Sequence, residues 1–144
     1  MENDVRFMKM ALQEAKEAAE LGEVPVGAVI VADGRVIARA HNLTERLIDV
    51  TAHAEMQAIT IAADALGGKY LKGCTLYVSL EPCVMCAGAI GWAQLDRIVI
   101  GAADKKRGYL KLASAALHPK TEVVTGVLAE ESTQLLQEFF ALRR

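Results

Sequence analysis

The sequence has no apolar run approaching eighteen residues and opens on charged and polar side chains, Glu2, Asn3, Asp4 and Arg6. Without such a run there is no candidate transmembrane helix, and without an apolar stretch near the start there is no secretory leader pattern. The expectation is a cytoplasmic protein with no membrane partner. Neither sign of charge dominates: 16 basic residues face 18 acidic ones, a net charge of −2, so the overall balance does not announce a nucleic-acid binder. Cysteine is scarce, with 3 in the chain. An odd number cannot all pair internally, and in a reducing compartment a Cys-x-x-Cys spacing signals metal binding or redox work sooner than a structural disulfide. Internal repeats and low-complexity tracts are also missing. What the chain does have is 144 residues with 53% hydrophobic content, enough for one domain, 1–144, around one core.

Local patterns alternate between helix and strand. Val5, Met8, Leu12, Ala15 and Ala19 recur at helical spacing in an Ala/Glu/Lys-rich run that stops near Gly22, predicting an amphipathic first helix. Residues 26–31 and 35–40 flank Asp33-Gly34, a two-residue hairpin signal, and read as paired antiparallel strands. Thr51 is the expected N-cap of a second helix, with Met56, Ile59, Ala63 and Leu66 on its apolar face and Gly67-Gly68 as its stop. Residues 75–80 read as a strand, Pro82 starts a small-residue helix ending near Ala93, and 98–100 resume strand character. After a long segment, 122–127 reads as the last strand, and Leu135, Leu136, Phe139 and Phe140 mark the face of a final helix. Strands alternating with helices predict an α/β sandwich around one sheet.

The residues that carry chemistry fall at the starts of two of those helices. Cys83 and Cys86, three apart after Pro82, put two sulfurs on one face of a first helical turn, where the helix N-terminus favours thiolate. His53-Ala54-Glu55 upstream adds an imidazole and a carboxylate. Three protein ligands leave the fourth position of a tetrahedral zinc to water, which is the catalytic and not the structural arrangement, and Glu55 is then free to move protons. On a regular helix His53 and Glu55 would point roughly 200° apart, so the reading requires the first turn to hook over the metal. A thioredoxin-like redox pair would need neither His53 nor Glu55. A structural zinc site would want a fourth Cys or His, and Cys74 is the only nearby cysteine. Cys74 reads as an inert strand residue, His41 as a strand-end residue and His118 as a loop residue. Lys105, Lys106, Arg107, Lys111 and Lys120 concentrate positive charge in one segment, and Arg143-Arg144 close the sequence. A solvated surface and a phosphate-contacting one both fit that cluster.

The pattern His53-Ala54-Glu55 followed by Pro82-Cys83-x-x-Cys86 resembles the zinc nucleobase deaminase signature. Glu23-Val24-Pro25-Val26-Gly27-Ala28-Val29, Asn42, Thr51-Ala52-His53-Ala54-Glu55, the stretch from Leu76 to Ala89 and Gly126-Val127-Leu128-Ala129 extend the resemblance, over nearly the whole chain, to the bacterial tRNA-specific adenosine deaminase family. That resemblance implies a three-layer α/β/α, cytidine deaminase-like sandwich with a mixed five-stranded sheet, forming one zinc-dependent deaminase domain of the CMP/dCMP type. It implies one Zn2+ per subunit and hydrolytic conversion of adenosine to inosine at the wobble position of a tRNA anticodon loop. A homodimer is implied too, and the apolar small-residue helix over 84–92 points the same way. Carried over by position, His53, Cys83 and Cys86 would bind zinc, Glu55 would shuttle protons and Asn42 would hydrogen-bond the nucleoside. Val26, Ala54 and Pro82 would line the base pocket. Asp104 and Lys106 fall in Asp-Lys-Lys-Arg-Gly, similar to the family's Asp-x-Lys-x-Gly segment near the RNA. Beyond it the chain departs from the family, running Tyr109-Leu110-Lys111-Leu112-Ala113-Ser114 and later Leu117-His118-Pro119-Lys120-Thr121-Glu122, so an altered substrate-facing loop is expected. The alternatives are a deaminase of a free cytosine-, guanine- or adenosine-type base or nucleoside, using the same site, and more remotely a non-catalytic zinc or redox module.

Overall fold

Asp33 and Gly34 both take positive φ, 50° and 72°, the backbone that matches the twist of a two-residue hairpin. They join β1 (Gly27–Ala32) to β2 (Arg35–His41), which pair antiparallel with Gly27 opposite His41. The computed structural model describes residues 2–143, so Arg144 of the terminal arginine pair lies outside the described residues. β3 (Cys74–Leu80) runs antiparallel to β1, and β4 (Arg97–Ala102) and β5 (Glu122–Val124) follow in parallel, giving one five-stranded sheet in the order β2-β1-β3-β4-β5. The helices are α1 (Glu2–Glu20), α2 (Ala54–Leu66), α3 (Val84–Ala93), α4 (Tyr109–Leu112) and α5 (Ala129–Ala141).

Alternation along each strand divides the interior into two cores. Ala28, Ile30, Leu76, Val78, Ile98 and Ile100 pack with Ala54, Ala58 and Ala62 of α2 and with Ala87 and Ile90 of α3. Val29, Val31, Tyr77 and Val99 turn the other way, against Phe7, Met8 and Ala11 of α1, with Leu128 packed alongside at the start of α5. Helices on both faces of a mixed sheet make the three-layer α/β/α sandwich that the resemblance implied. On the α1 side, Arg97 sends two hydrogen bonds to Asp4, at 2.7 and 2.6 Å, and a third to Glu122 at 2.6 Å. Tyr77 Oη donates to the same Asp4 at 2.9 Å. The guanidinium beside Asp4 holds its carboxyl below the ordinary carboxylate range.

Several local expectations shift. The second helix starts at Ala54 with His53 as N-cap, while Thr51 bonds Asp49 through its amide and hydroxyl. Its inward face is Ala54, Ala58 and Ala62, and Leu66 is exposed. Small side chains, one every fourth residue, let this helix lie close to the sheet, a stripe that larger apolar neighbours mask in the sequence. The last strand ends at Val124, and in the final helix Phe139 is buried while Phe140 is exposed. The long segment before β5 holds α4, whose Tyr109 is buried in the α2/α3 core.

Candidate active site

The starts of α2 and α3 and the carboxyl ends of β3 and β4 share one edge of the sheet, where sites form in open α/β folds. His53 precedes α2 in extended backbone, φ −71° and ψ 156°. The conflict between His53 and Glu55 therefore does not arise: the imidazole lies off the helix, and Glu55 sits inside its first turn, buried. Cys83 is likewise the N-cap of α3, φ −73° and ψ 175°, with Cys86 three residues on in the first turn.

His53 Nδ1 lies 3.6 Å from Cys83 Sγ and 3.6 Å from Cys86 Sγ. A tetrahedral zinc with Zn–S near 2.3 Å and Zn–N near 2.0–2.1 Å would set nitrogen and sulfur about 3.5 to 3.6 Å apart. The spacing of the donors thus fits that ion, and the three ligand atoms form one group that could hold a metal. A second acid-histidine group, Glu14, Glu17 and His41, is already engaged internally: Glu14 pairs with Arg39 at 3.1 Å and with His41 at 2.8 Å. Cys74 is buried in the sheet and free.

Electrostatics at the site follow from close packing of unlike groups. The Cys83 thiol is pulled down to about 4, chiefly by the hydrogen bond from Cys86 and then by His53. Cys86 is pushed upward by that same bond and by burial. Contact with Cys83 raises His53. Metal binding has to displace those protons, because the binding forms are thiolate and neutral imidazole. Burial pushes Glu55 up to about 7, leaving a carboxyl that can hold or release a proton near neutrality.

His53, Glu55 and Cys83 open into a cavity of about 440 Å³, while Cys86 is buried and does not line it. Of the substrate-side residues expected from the sequence, Val26, Asn42, Ala54 and Asp104 line it together with His53, Glu55 and Cys83. Pro82 and Lys106 do not. Pro82 is buried with its carbonyl accepting from Tyr109 N at 2.9 Å, and Lys106 is exposed, whereas the neighbouring Arg107 reaches the wall. Sequence reasoning also missed Val24, Thr44, Val50, Leu80, Glu81 and Met85. Nothing from 109–121 lines the cavity, so the segment that departs from the family pattern does not alter this wall. It packs inward instead: a β-carbon at Gly91 of α3 would fall 2.3 Å from the Ala116 carbonyl oxygen.

Two buried glutamates outside the ligand set shape the rims. Glu23 accepts from the amides of Glu45 and Arg46 at 3.1 and 2.7 Å, fixing the turn after Asn42. Glu81 accepts from the amides of Asp104 and Leu110, each at 3.1 Å. An acidic residue one or two positions before a proline in an apolar setting, as in Glu23-Val24-Pro25 and Glu81-Pro82, is the signal that could have marked them.

Fold and site together define a zinc-dependent hydrolytic deaminase. Residues 1–102 match the cytidine and deoxycytidylate deaminase zinc-binding region. A tRNA-specific adenosine deaminase of Agrobacterium fabrum is 46% identical, covering 100% of this chain and 98% of the relative. A solved structure from work on A-to-I editing by tRNA:A34 deaminases superposes with a TM-score of 0.86 at 47% identity, covering 91% of this chain and 99% of that one. A guanine deaminase from Bacillus subtilis gives 0.66 at 40% identity, over 78% of this chain and 69% of its own. The chain belongs to the tRNA-specific adenosine deaminase family, a branch of the zinc-dependent cytidine and deoxycytidylate deaminases.

Proposed function

We propose that the protein converts adenosine to inosine in tRNA, at the wobble position of the anticodon, consuming water and releasing ammonia. The observation that carries the chemistry is one imidazole and two sulfurs at tetrahedral spacing, of which His53 and Cys83 line the same cavity as an uncoordinated, buried carboxyl. Zinc bound there supplies Lewis-acid activation of the attacking water. In this reading His53, Cys83 and Cys86 would hold the ion, and Glu55 would take one proton of the attacking water and deliver it to the purine ring nitrogen, then relay the second, from the hydroxyl now on C6, to the amine that leaves as ammonia. Asn42 offers an amide to the nucleoside, and Val26 and Ala54 provide apolar surface to the base. Asp104 uses Oδ1 to accept the amides of Lys106 and Arg107, at 3.1 and 3.0 Å, which leaves Arg107 as the cation on the wall, facing the RNA backbone. Lys106 then contributes from the exposed side of the turn.

The full-length likeness to a tRNA-specific deaminase supports the substrate, and the same reading takes the chain as one deaminase domain working as a cytoplasmic homodimer. Val84 and Trp92 leave apolar surface exposed on α3, which suits a second copy. No helix among the described residues is long and apolar enough to cross a membrane. The likeness to a guanine deaminase favours a second reading, a free-base enzyme. Mass-spectrometric nucleoside analysis of tRNA incubated with the purified protein separates the two. Inosine at one anticodon position is the expected result; turnover of a free base with no inosine in tRNA would overturn it.

A further inference from the structure

Glu81 joins the segment that carries the metal ligands to the turn that carries Asp104 and Arg107. It directly precedes Pro82 and Cys83, is 6% exposed, and has each carboxylate oxygen occupied by a backbone donor, Oε1 by Asp104 and Oε2 by Leu110. Parallel contacts tie the same two segments. The Glu81 amide donates to Ala102 at 2.8 Å, the Tyr109 amide donates to Pro82 at 2.9 Å, and Cys83 forms an isolated bridge with Gly108. Gly108 has no room for a side chain, because a β-carbon there would collide with Glu81 Oε2. A carboxylate is an acceptor only, so a buried one meets its needs by gathering N–H donors. Here it draws them from both ends of one turn.

We propose that Glu81 is a positioning residue for the polynucleotide: its carboxylate pins the 104–110 turn to the zinc-ligand segment and thereby presents Arg107 to the cavity. Glu81 borders the cavity, but both of its carboxylate oxygens are taken up by the Asp104 and Leu110 amides, so it acts through the turn. The proposal rests on the RNA reading given above. It predicts that loosening the turn weakens capture of a long substrate more than it slows the chemistry, since His53 and Glu55 are carried by the start of α2, and Cys83 keeps its bridge to Gly108 and Pro82 its bond from the Tyr109 amide when the carboxylate is changed.

Glu81→Gln tests this, because an amide keeps the size but has one acceptor oxygen for two donors. In zinc-loaded protein, KM for tRNA should rise on the order of tenfold, the size of losing one hydrogen bond to a charged group, while kcat stays within about twofold. Zinc content should be unchanged, and amide hydrogen exchange at Asp104 and Leu110 should quicken. Unchanged KM with unchanged exchange overturns the proposal. So does loss of zinc, which would make Glu81 a support of the metal segment alone. If Glu81→Gln does not fold, Gly108→Ala pushes a β-carbon into the same carboxylate and against the Asp104 carbonyl oxygen, displacing the turn from its other side, and an unchanged KM in that variant is equally fatal. If both fold, the double variant should lose less than the sum of the two. Absence of inosine from the wild-type tRNA reaction defeats the RNA reading itself, a failure visible before any variant is compared.

Discussion

On the α2/α3 side of the sheet the helix residues that reach the strands are mostly small, Ala54, Ala58, Ala62 and Ala87 beside Ile90; on the α1 side Ala11 shares the contact with the bulkier Phe7 and Met8, closed off by Arg97 between Asp4 and Glu122. Small residues let two helix starts converge at one sheet edge, which is what brings His53 to Cys83 and Cys86. Bulky residues and a charge network fill volume and lock α1 to the strands without approaching the cavity. The difference teaches that the candidate site and the anchorage occupy opposite faces, so substitutions on one face should spare what the other does.

The hardest test of that division is removal of a ligand. Cys83→Ala should lose zinc and all measurable deamination, whereas Cys74→Ala, in the sheet, should retain both by direct metal quantification; equal zinc loss would erase the distinction. Next in size is Glu55→Gln, which keeps the ion and the fold but should lower turnover by about 10² to 10⁴, the range for removing a general acid-base group. Near-normal ammonia release would remove Glu55 from the mechanism. On the opposite face, Arg97→Ala leaves Asp4 buried without its main partner and should lower unfolding free energy by about 1 to 3 kcal/mol in urea titrations, with kcat nearly unchanged. Because the folded state depresses the Asp4 carboxyl, that stabilisation is complete above the unfolded carboxylate pKa, about 3.9, and is lost as pH falls below it. The gap between wild type and Arg97→Ala should therefore close in acid; a gap that persists would assign the effect to packing. The smallest effect belongs to the rim: Arg107→Ala should weaken tRNA turnover and reduce its salt slope by roughly one unit, more than Lys106→Ala does. A larger effect at Lys106 would reverse the assignment made from the cavity wall.

The hairpin at Asp33-Gly34 and the clustering of His53, Cys83 and Cys86 were legible because local chemistry dictates them: a turn pair with positive φ, and soft donors at helix starts. The start of α2 was not. Thr51 carries the better capping side chain, yet its hydroxyl serves Asp49, and the extended backbone at His53 decides where the helix begins. Nor could the roles of Glu23 and Glu81 be read locally, since Glu23 meets amides 22 and 23 residues away and Glu81 amides 23 and 29 residues away. Arg107 and Lys106 are adjacent in sequence and equally charged, and only the path of the turn separates them.

Ser79 is buried in β3, its hydroxyl accepting from the Gly27 amide at 3.0 Å and its carbonyl from the Ser132 hydroxyl. Together with Glu81, it makes completion of the site late in the order of synthesis. A nascent chain that has reached Cys86 already carries His53 and Cys83 but lacks the amides of Asp104 and Leu110 and the hydroxyl of Ser132. Translation must pass residue 132 before the segment carrying Cys83 and Cys86 gains its last supports, so a ribosome stalled earlier displays both cysteines on an edge that is not yet fixed.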